Sequence, residues 1–136
     1  MILLDTCAAV WMASAQPTFL KRAQSAIVGA AAKGELFISS ISAWEIATLA
    51  RRDRLVLRVS PTAFVNQLFA HPSIAEVPVD KEIALLAGSL PGEFHGDPAD
   101  RLIVATAISH GMQLMTRDRR ILAYAKQSNA VPAIPC

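Results

Sequence analysis

The chain has 136 residues, enough for one domain with a real core and too few for two. Apolar residues make up 53% of it, yet the longest apolar stretch, Ala26 to Ala32, ends at Lys33, far short of the ~20 residues a membrane span needs. Two cysteines without ligand spacing exclude a disulfide scaffold and a zinc site, and a net charge of +2 names no partner by itself.

Mean hydropathy is +0.38, high for a soluble monomer, which points to an apolar face kept for a second copy or another chain. The start lacks a basic n-region and meets Asp5 at once, which argues against a signal peptide and for a cytoplasmic protein.

Ile2-Leu3-Leu4-Asp5 is a short apolar run closing on a carboxylate, the pattern of a buried strand in a parallel sheet. Thr6 or a neighbour is expected to cap a short helix, Ala8 to Ala15. Gln16-Pro17-Thr18 breaks it, with Thr18 as the next N-cap. Phe19 to Lys33 predicts a helix with Phe19, Leu20, Ala23 and Ile27 on one face, ended by Gly34.

Leu36 to Ser39 predicts a second strand. Ser42-Ala43-Trp44-Glu45 fits a capping box opening a helix through Arg52. Ser60-Pro61 opens a helix to about Ala70, broken by His71-Pro72-Ser73. Ile74 to Val79 predicts a third strand, Lys81 to Leu90 a helix, and Pro91 to Gly96 a loop. Asp97-Pro98 starts a helix that runs to His110 and stops at Gly111. Gln113 to Thr116 is a fourth strand, Arg119 to Lys126 a helix, and Ala130 to Ile134 a weak last strand.

Strands alternate with helices throughout. The expectation is therefore an α/β fold: a single domain over residues 1–136 with a central parallel sheet of four to five short strands. Helices cover both faces through right-handed crossovers.

Functional groups in such sheets sit past the carboxyl ends of the strands. Asp5 and Asp118 are placed there, and Glu45 and Asp100 reach the same rim if their helices begin on it. Each acid alone has a capping explanation: Glu45 with Ser42, Asp97 and Asp118 as N-caps, and Asp100 as a first-turn acid. Together they point further, because each projects from an otherwise apolar, packed segment. Carboxylates held about 5 Å apart repel by roughly 3 kcal/mol per pair at an effective dielectric of 20, so protons or a cation must join them. An all-oxygen donor set favours Mg²⁺ or Mn²⁺ over zinc, and with it hydrolysis of phosphate esters.

Four stretches carry a family resemblance: Ile2-Leu3-Leu4-Asp5-Thr6, Ser39 through Ile46, His95-Gly96-Asp97-Pro98-Ala99-Asp100-Arg101 through Ala107, and Leu114-Met115-Thr116-Arg117-Asp118. In this order and spacing the chain resembles the PIN-domain ribonucleases, and within them the VapC-type toxins of bacterial toxin–antitoxin pairs. The resemblance implies an acidic quartet of Asp5, Glu45, Asp100 and Asp118 as the catalytic set, with Asp5, Asp100 and Asp118 as ligands of Mg²⁺ or Mn²⁺. It also implies Thr6 and Thr116 as hydroxyls orienting the carboxylates, a homodimer, a cognate VapB-type antitoxin and cleavage of RNA. Asp97 is the extra acid of the motif, better suited to cap the helix, and Asp100 is preferred as the ligand.

With the four site acids set aside, 7 other acids face 13 Lys and Arg, so the remaining surface is basic, as a polyanion-binding protein needs. Arg117, Arg119 and Arg120 surround Asp118 and are expected to contact RNA phosphates. Arg51, Arg52, Arg54 and Arg58 serve equally well as solvated helix-end charges. Arg101 either pairs with a site acid or touches RNA. His95 and His110 read as loop and helix-end residues, Trp11 and Trp44 as core or interface, and Phe64, Leu68 and Phe69 as contacts for a second copy or the antitoxin. Two rival functions fit the same chain: a catalytically silent module binding antitoxin or RNA, and a receiver-type phosphoacceptor domain. The receiver would want adjacent acids after the first strand and a lysine after a late one, where this chain has a lone Asp5 and Arg117.

Overall fold

Ile2 and Leu4 point to one side of the first strand and Leu3 to the other, and all three are buried. A strand hidden on both faces belongs at the middle of a parallel sheet, and that is where it lies. The computed structural model describes residues 1–14 and 18–136. The predicted break at Gln16 and Pro17, and the predicted helix end at Ala15, lie outside the described residues.

In chain order the elements are β1 (Ile2–Leu4), α1 (Thr6–Met12), α2 (Lys21–Lys33), β2 (Leu36–Ser39), α3 (Ile41–Arg51) and α4 (Pro61–Phe69). There follow β3 (Ile74–Val77), α5 (Lys81–Gly88), α6 (Pro98–His110), β4 (Gln113–Thr116), α7 (Arg119–Ser128) and β5 (Ala133–Pro135). The five strands form one sheet in the order β3-β2-β1-β4-β5. Every pairing is parallel, with Leu3 in register with Phe37 on one side and Leu114 on the other. This is the expected α/β architecture with five strands. It excludes the receiver alternative, whose doubly wound sheet runs 2-1-3-4-5.

Strand alternation sorts the core into two layers. Ile2, Leu4, Leu36, Ile38 and Met115 face α1 to α4, where they meet Ala8, Ala23, Ile46 and Leu68. Leu3, Val77 and Leu114 face α5 to α7, where they meet Ile83, Ile103, Val104, Ile121 and Tyr124. α6 is buried nearly all round, which its run of Ala, Ile and Val permits, while α7 buries the i, i+3, i+4 set Ile121, Tyr124 and Ala125. Gly34 and Gly111 close α2 and α6 in the left-handed conformation at φ 68° and 64°, the reason glycine stands at both ends.

Several boundaries differ from expectation for local reasons. α1 begins at Thr6, two residues early, because the cap is Thr6's neighbour Asp5. α2 begins at Lys21, and its N-cap is Leu20, with no side-chain bond, so Thr18 does not cap it; Phe19 instead sets its ring edge-on against Trp11 at 6.1 Å. β3 stops at Val77 because Pro78 has no N–H to continue the ladder. Val79 N instead donates to Ser40 Oγ at 3.0 Å. The last strand is shorter and later than expected, starting at Ala133 after the left-handed Asn129.

From β1 the chain builds outward to β2 and β3, then crosses back to the far side of β1 for β4 and β5. The reversal falls between β1 and β4, and a crevice opens at their carboxyl ends. Asp5 and Asp118 follow those two strands.

Candidate active site

Three of the acids reach the crevice because they cap helices. Asp5 accepts a 2.7 Å hydrogen bond from Ala8 N at the start of α1. Asp97 accepts one from Asp100 N (3.1 Å) at the start of α6, as expected of a cap. Asp118 accepts from Arg120 N (2.7 Å) and Ile121 N (3.2 Å) at the start of α7. Thr116 ties two of them together. Its hydroxyl donates to the second oxygen of Asp5 and accepts from Asp118 N at 2.9 Å. Asp5 is only 5% exposed and Thr116 is fully buried, so this arrangement is set by the core.

Glu45 arrives differently. The capping box does not form: α3 starts at Ile41, and its N-cap Ser40 makes no side-chain cap bond. Ser40 spends its hydroxyl on Val79 N, across to the strand end beyond β3. Ser42 therefore lies inside α3, fully buried, and accepts a 2.9 Å hydrogen bond from Thr6 Oγ1. Released from capping, Glu45 lines the crevice.

Asp5, Glu45, Asp97, Asp100 and Asp118 all line one hollow of about 530 Å³, with Thr6, Cys7, Trp11, Arg54, Arg117 and Arg120. Among the described residues, one acid trio has ligand oxygens all within 4.8 Å of one another: Glu45, Asp97 and Asp100. The trio expected from sequence, Asp5, Asp100 and Asp118, is not drawn so tight. Asp5 has both oxygens engaged by Ala8 N and Thr116, and Asp118 turns toward its own helix. Asp97 is thus both a cap and a member of the compact trio, where the sequence left open whether it was a ligand or only a cap.

The acids titrate as crowded, desolvated groups. Burial pushes the Asp5 carboxyl up, against the bonds from Thr116 and Ala8. Burial also raises Glu45, with Asp97, Asp5 and Asp118 adding to the effect and Thr6 opposing it. Asp100 is pushed up to about 7 by burial and then by Asp97, Glu45 and Asp118, with Arg120 opposing. Cys7 feels the same field: burial and the four quartet acids push its thiol up to about 11, so it is no nucleophile. A donor set made only of carboxylate oxygens, crowded enough to hold a proton near neutrality, fits a hard divalent cation.

The arginines divide into two kinds. Arg119 is exposed. Arg120 is 62% exposed and reaches Asp118 at 3.6 Å and Asp100 at 3.9 Å. Arg117 is engaged by the fold: it donates to Cys136 O (2.9 Å) and Thr18 O (2.6 Å), and its guanidinium lies over the Trp11 ring. Arg101 turns to backbone carbonyls. It donates to Ala87 O at 2.8 Å, Phe94 O at 3.0 Å and His95 O at 3.3 Å, binding the loop before α6. Trp44 is 56% exposed and so is not core. Ser42, Arg54 and the stacking role of Trp11 were missed from sequence. Arg54 belonged to a noted basic cluster, but nothing local marked it as the member facing the acids.

A second hollow of about 600 Å³ is apolar and distant in character from the first, lined by Met12, Ile27, Val28, Ala31, Phe64 and Leu68 among others. No helix among the described residues is long and apolar enough to cross a membrane.

Fold and site together define an α/β protein with a carboxylate-lined cleft at the switch point of a parallel sheet. Residues 2–127 match the PIN domain family, and the chain belongs to that family. It is 41% identical over 123 residues to the Mycobacterium tuberculosis protein described as Ribonuclease VapC22, covering 90% of this chain and 91% of that one. Its fold is shared by a chain of VapBC2 from Rickettsia felis, crystallised with a promoter DNA fragment, at TM-score 0.71 and 16% identity over 100% of this chain and 99% of that one. FitAcB from Neisseria gonorrhoeae gives TM-score 0.66 at 22% identity over 98% and 96%.

Proposed function

We propose that this chain is a metal-dependent endoribonuclease toxin of the VapC type. It acts as a single nuclease domain over residues 1–136 in the cytoplasm, forms a homodimer, and is neutralised by a cognate VapB-type antitoxin. The observation that carries this reading is the meeting of Asp5, Glu45, Asp100 and Asp118 in one hollow at the switch point. The likeness to a protein described as a ribonuclease supports the choice of substrate.

Asp5, Glu45, Asp100 and Asp118 would hold Mg²⁺ or Mn²⁺, with Asp97 close enough to join them. When bound, such an ion supplies Lewis acidity toward the scissile phosphate and lowers the pKa of a nearby water. The chain supplies the rest. Thr116 and Thr6 hold the acids and their supports in place, and a carboxylate not engaged by the ion orients the attacking water. Arg120, which lines the hollow, and the exposed Arg119 next to it in sequence draw in and position the phosphate backbone. Arg117 contributes charge from a fixed position, through its clamp on Trp11 and Cys136. The apolar hollow between α2 and α4 supports a protein partner, in keeping with the high mean hydropathy.

The test is cleavage of RNA by the purified chain, free of antitoxin, with Mg²⁺, with Mn²⁺ and with EDTA. Cleavage with either ion and none with EDTA is expected. Tight Mn²⁺ binding without turnover of any RNA would instead establish the silent binding module.

A further inference from the structure

His95 stands in the loop before α6, in a place the nuclease reading leaves without a task. Its ring and its backbone are both held. Phe94 stacks beside it at 4.2 Å between centroids, and Phe94 in turn packs on Tyr124 at 4.7 Å. Tyr124 reaches back to donate to Pro91 O at 2.7 Å, and Arg101 holds the carbonyls of Phe94 and His95. Five contacts, made by Arg101 of α6, Tyr124 of α7 and the loop's own Phe94, thus hold the short loop that carries this imidazole.

The two ring nitrogens have different partners. Asp97 N donates to His95 Nδ1 at 3.2 Å, so Nδ1 is the acceptor and the proton of the neutral ring sits on Nε2. Nε2 lies 3.3 Å from Asp100 Oδ2. Among the described residues it is the one buried side-chain nitrogen or oxygen without a formed hydrogen bond. A buried donor left unmade is costly, and Asp100 Oδ2 is the acceptor in reach, needing only a small turn of its carboxylate to close the bond. The same Asp97 whose side chain caps α6 therefore sets the tautomer of His95 through its backbone, and the tautomer aims a proton at Asp100.

We propose that His95 is a positioning residue: its Nε2–H fixes the rotamer of the Asp100 carboxylate, leaving the other oxygen turned to the acids across the cleft. The role rests on the nuclease reading in one respect, that Asp100 is a metal ligand. It is separate from general acid chemistry, since His95 acts on the ligand and not on the substrate.

The experiment measures Mn²⁺ affinity of the full chain by calorimetry, alongside the tautomer from imidazole ¹⁵N shifts and RNA cleavage. His95→Phe keeps the ring against Phe94 and removes both nitrogens. Mn²⁺ affinity is expected to fall by about tenfold to a hundredfold, the usual loss when a ligand's hydrogen-bonding support is removed. His95→Gln, whose terminal amide N–H can take the place of Nε2–H, is expected to restore most of that loss, which a merely space-filling role would not predict. An Nδ1–H tautomer, a His95→Phe protein binding Mn²⁺ like the parent, or a His95→Gln protein as weak as His95→Phe would each overturn the proposal. Asp100→Asn separates the two layers. If it keeps Mn²⁺ at parental affinity, the metal assignment falls and the role of His95 falls with it. If it loses Mn²⁺ while His95→Phe keeps it, only the role of His95 falls.

Discussion

Asp5 and Asp80 begin alike and end differently. Each follows a strand of the parallel sheet, and each caps the next helix with one carboxylate oxygen, at 2.7 Å to Ala8 N and 2.9 Å to Ile83 N. Asp80 follows the edge strand β3 and is exposed; Asp5 follows the central strand β1 and is 5% exposed, with Thr116 on its second oxygen. The same short-range chemistry thus gives an exposed cap at the edge of the sheet and a buried carboxylate with both oxygens engaged at its switch point. Capping is decided within four residues, whereas the use made of the capping acid is decided by which strands stand on either side.

The largest expected effect breaks this pair apart. Asparagine caps as well as aspartate, so Asp5→Asn and Asp80→Asn both keep their helices. Asp5→Asn should nonetheless lower RNA cleavage by about a thousandfold, the scale of losing several kcal/mol of metal-assisted catalysis, while Asp80→Asn leaves it unchanged. Equal activity in the two variants would remove the distinction.

Next comes pH. The Asp100 carboxyl, ordinarily at 3.8, is pushed up to about 7 in the folded chain, so the folded state holds a proton that the unfolded state has released. Its contribution to stability is complete below the unfolded value and disappears as pH rises through about 7, a loss on the order of a few kcal/mol. Thermal unfolding of the EDTA-treated protein between pH 5 and pH 8 should show the melting temperature falling as pH rises. Asp100→Asn should flatten that slope, and parallel lines for parent and variant would contradict it.

A smaller effect probes the link between the two central strands. Thr116→Val keeps the shape and removes the hydroxyl shared by Asp5 and Asp118 N; it should cost about 1–3 kcal/mol by denaturant unfolding and reduce cleavage about tenfold or more. The smallest is Asp80→Ala, which should cost about 1 kcal/mol of stability as an ordinary lost cap and leave cleavage intact.

Much of this was readable before the fold was known, and the limit lies at a definite distance along the chain. The strand at Ile2 to Leu4, the glycine stops at Gly34 and Gly111, and the caps at Ser60 and Asp97 follow from residues within a turn of one another. The capping box at Ser42 and Glu45 is equally local and did not form, because Ser40 makes its bond to Val79, 39 positions away. The hydrogen bonds of Arg101 and Arg117 were out of reach for the same reason: their acceptors lie in α5, on loops and past a strand end that only the tertiary arrangement brings near. Placing Asp5 and Asp118 needed only the alternation of strands and helices. The compact trio of Glu45, Asp97 and Asp100 needed the start of α3 and the loop before α6, which no spacing rule describes.

The central place of β1 has a consequence for timing. Synthesis releases the N-terminus first. A nascent chain with its first hundred residues exposed holds Asp5, Glu45, Asp97 and Asp100, but neither Thr116 nor Asp118 nor the strand β4 that flanks β1. The hollow is therefore completed only when β4 has emerged and docked beside β1, the strand made first.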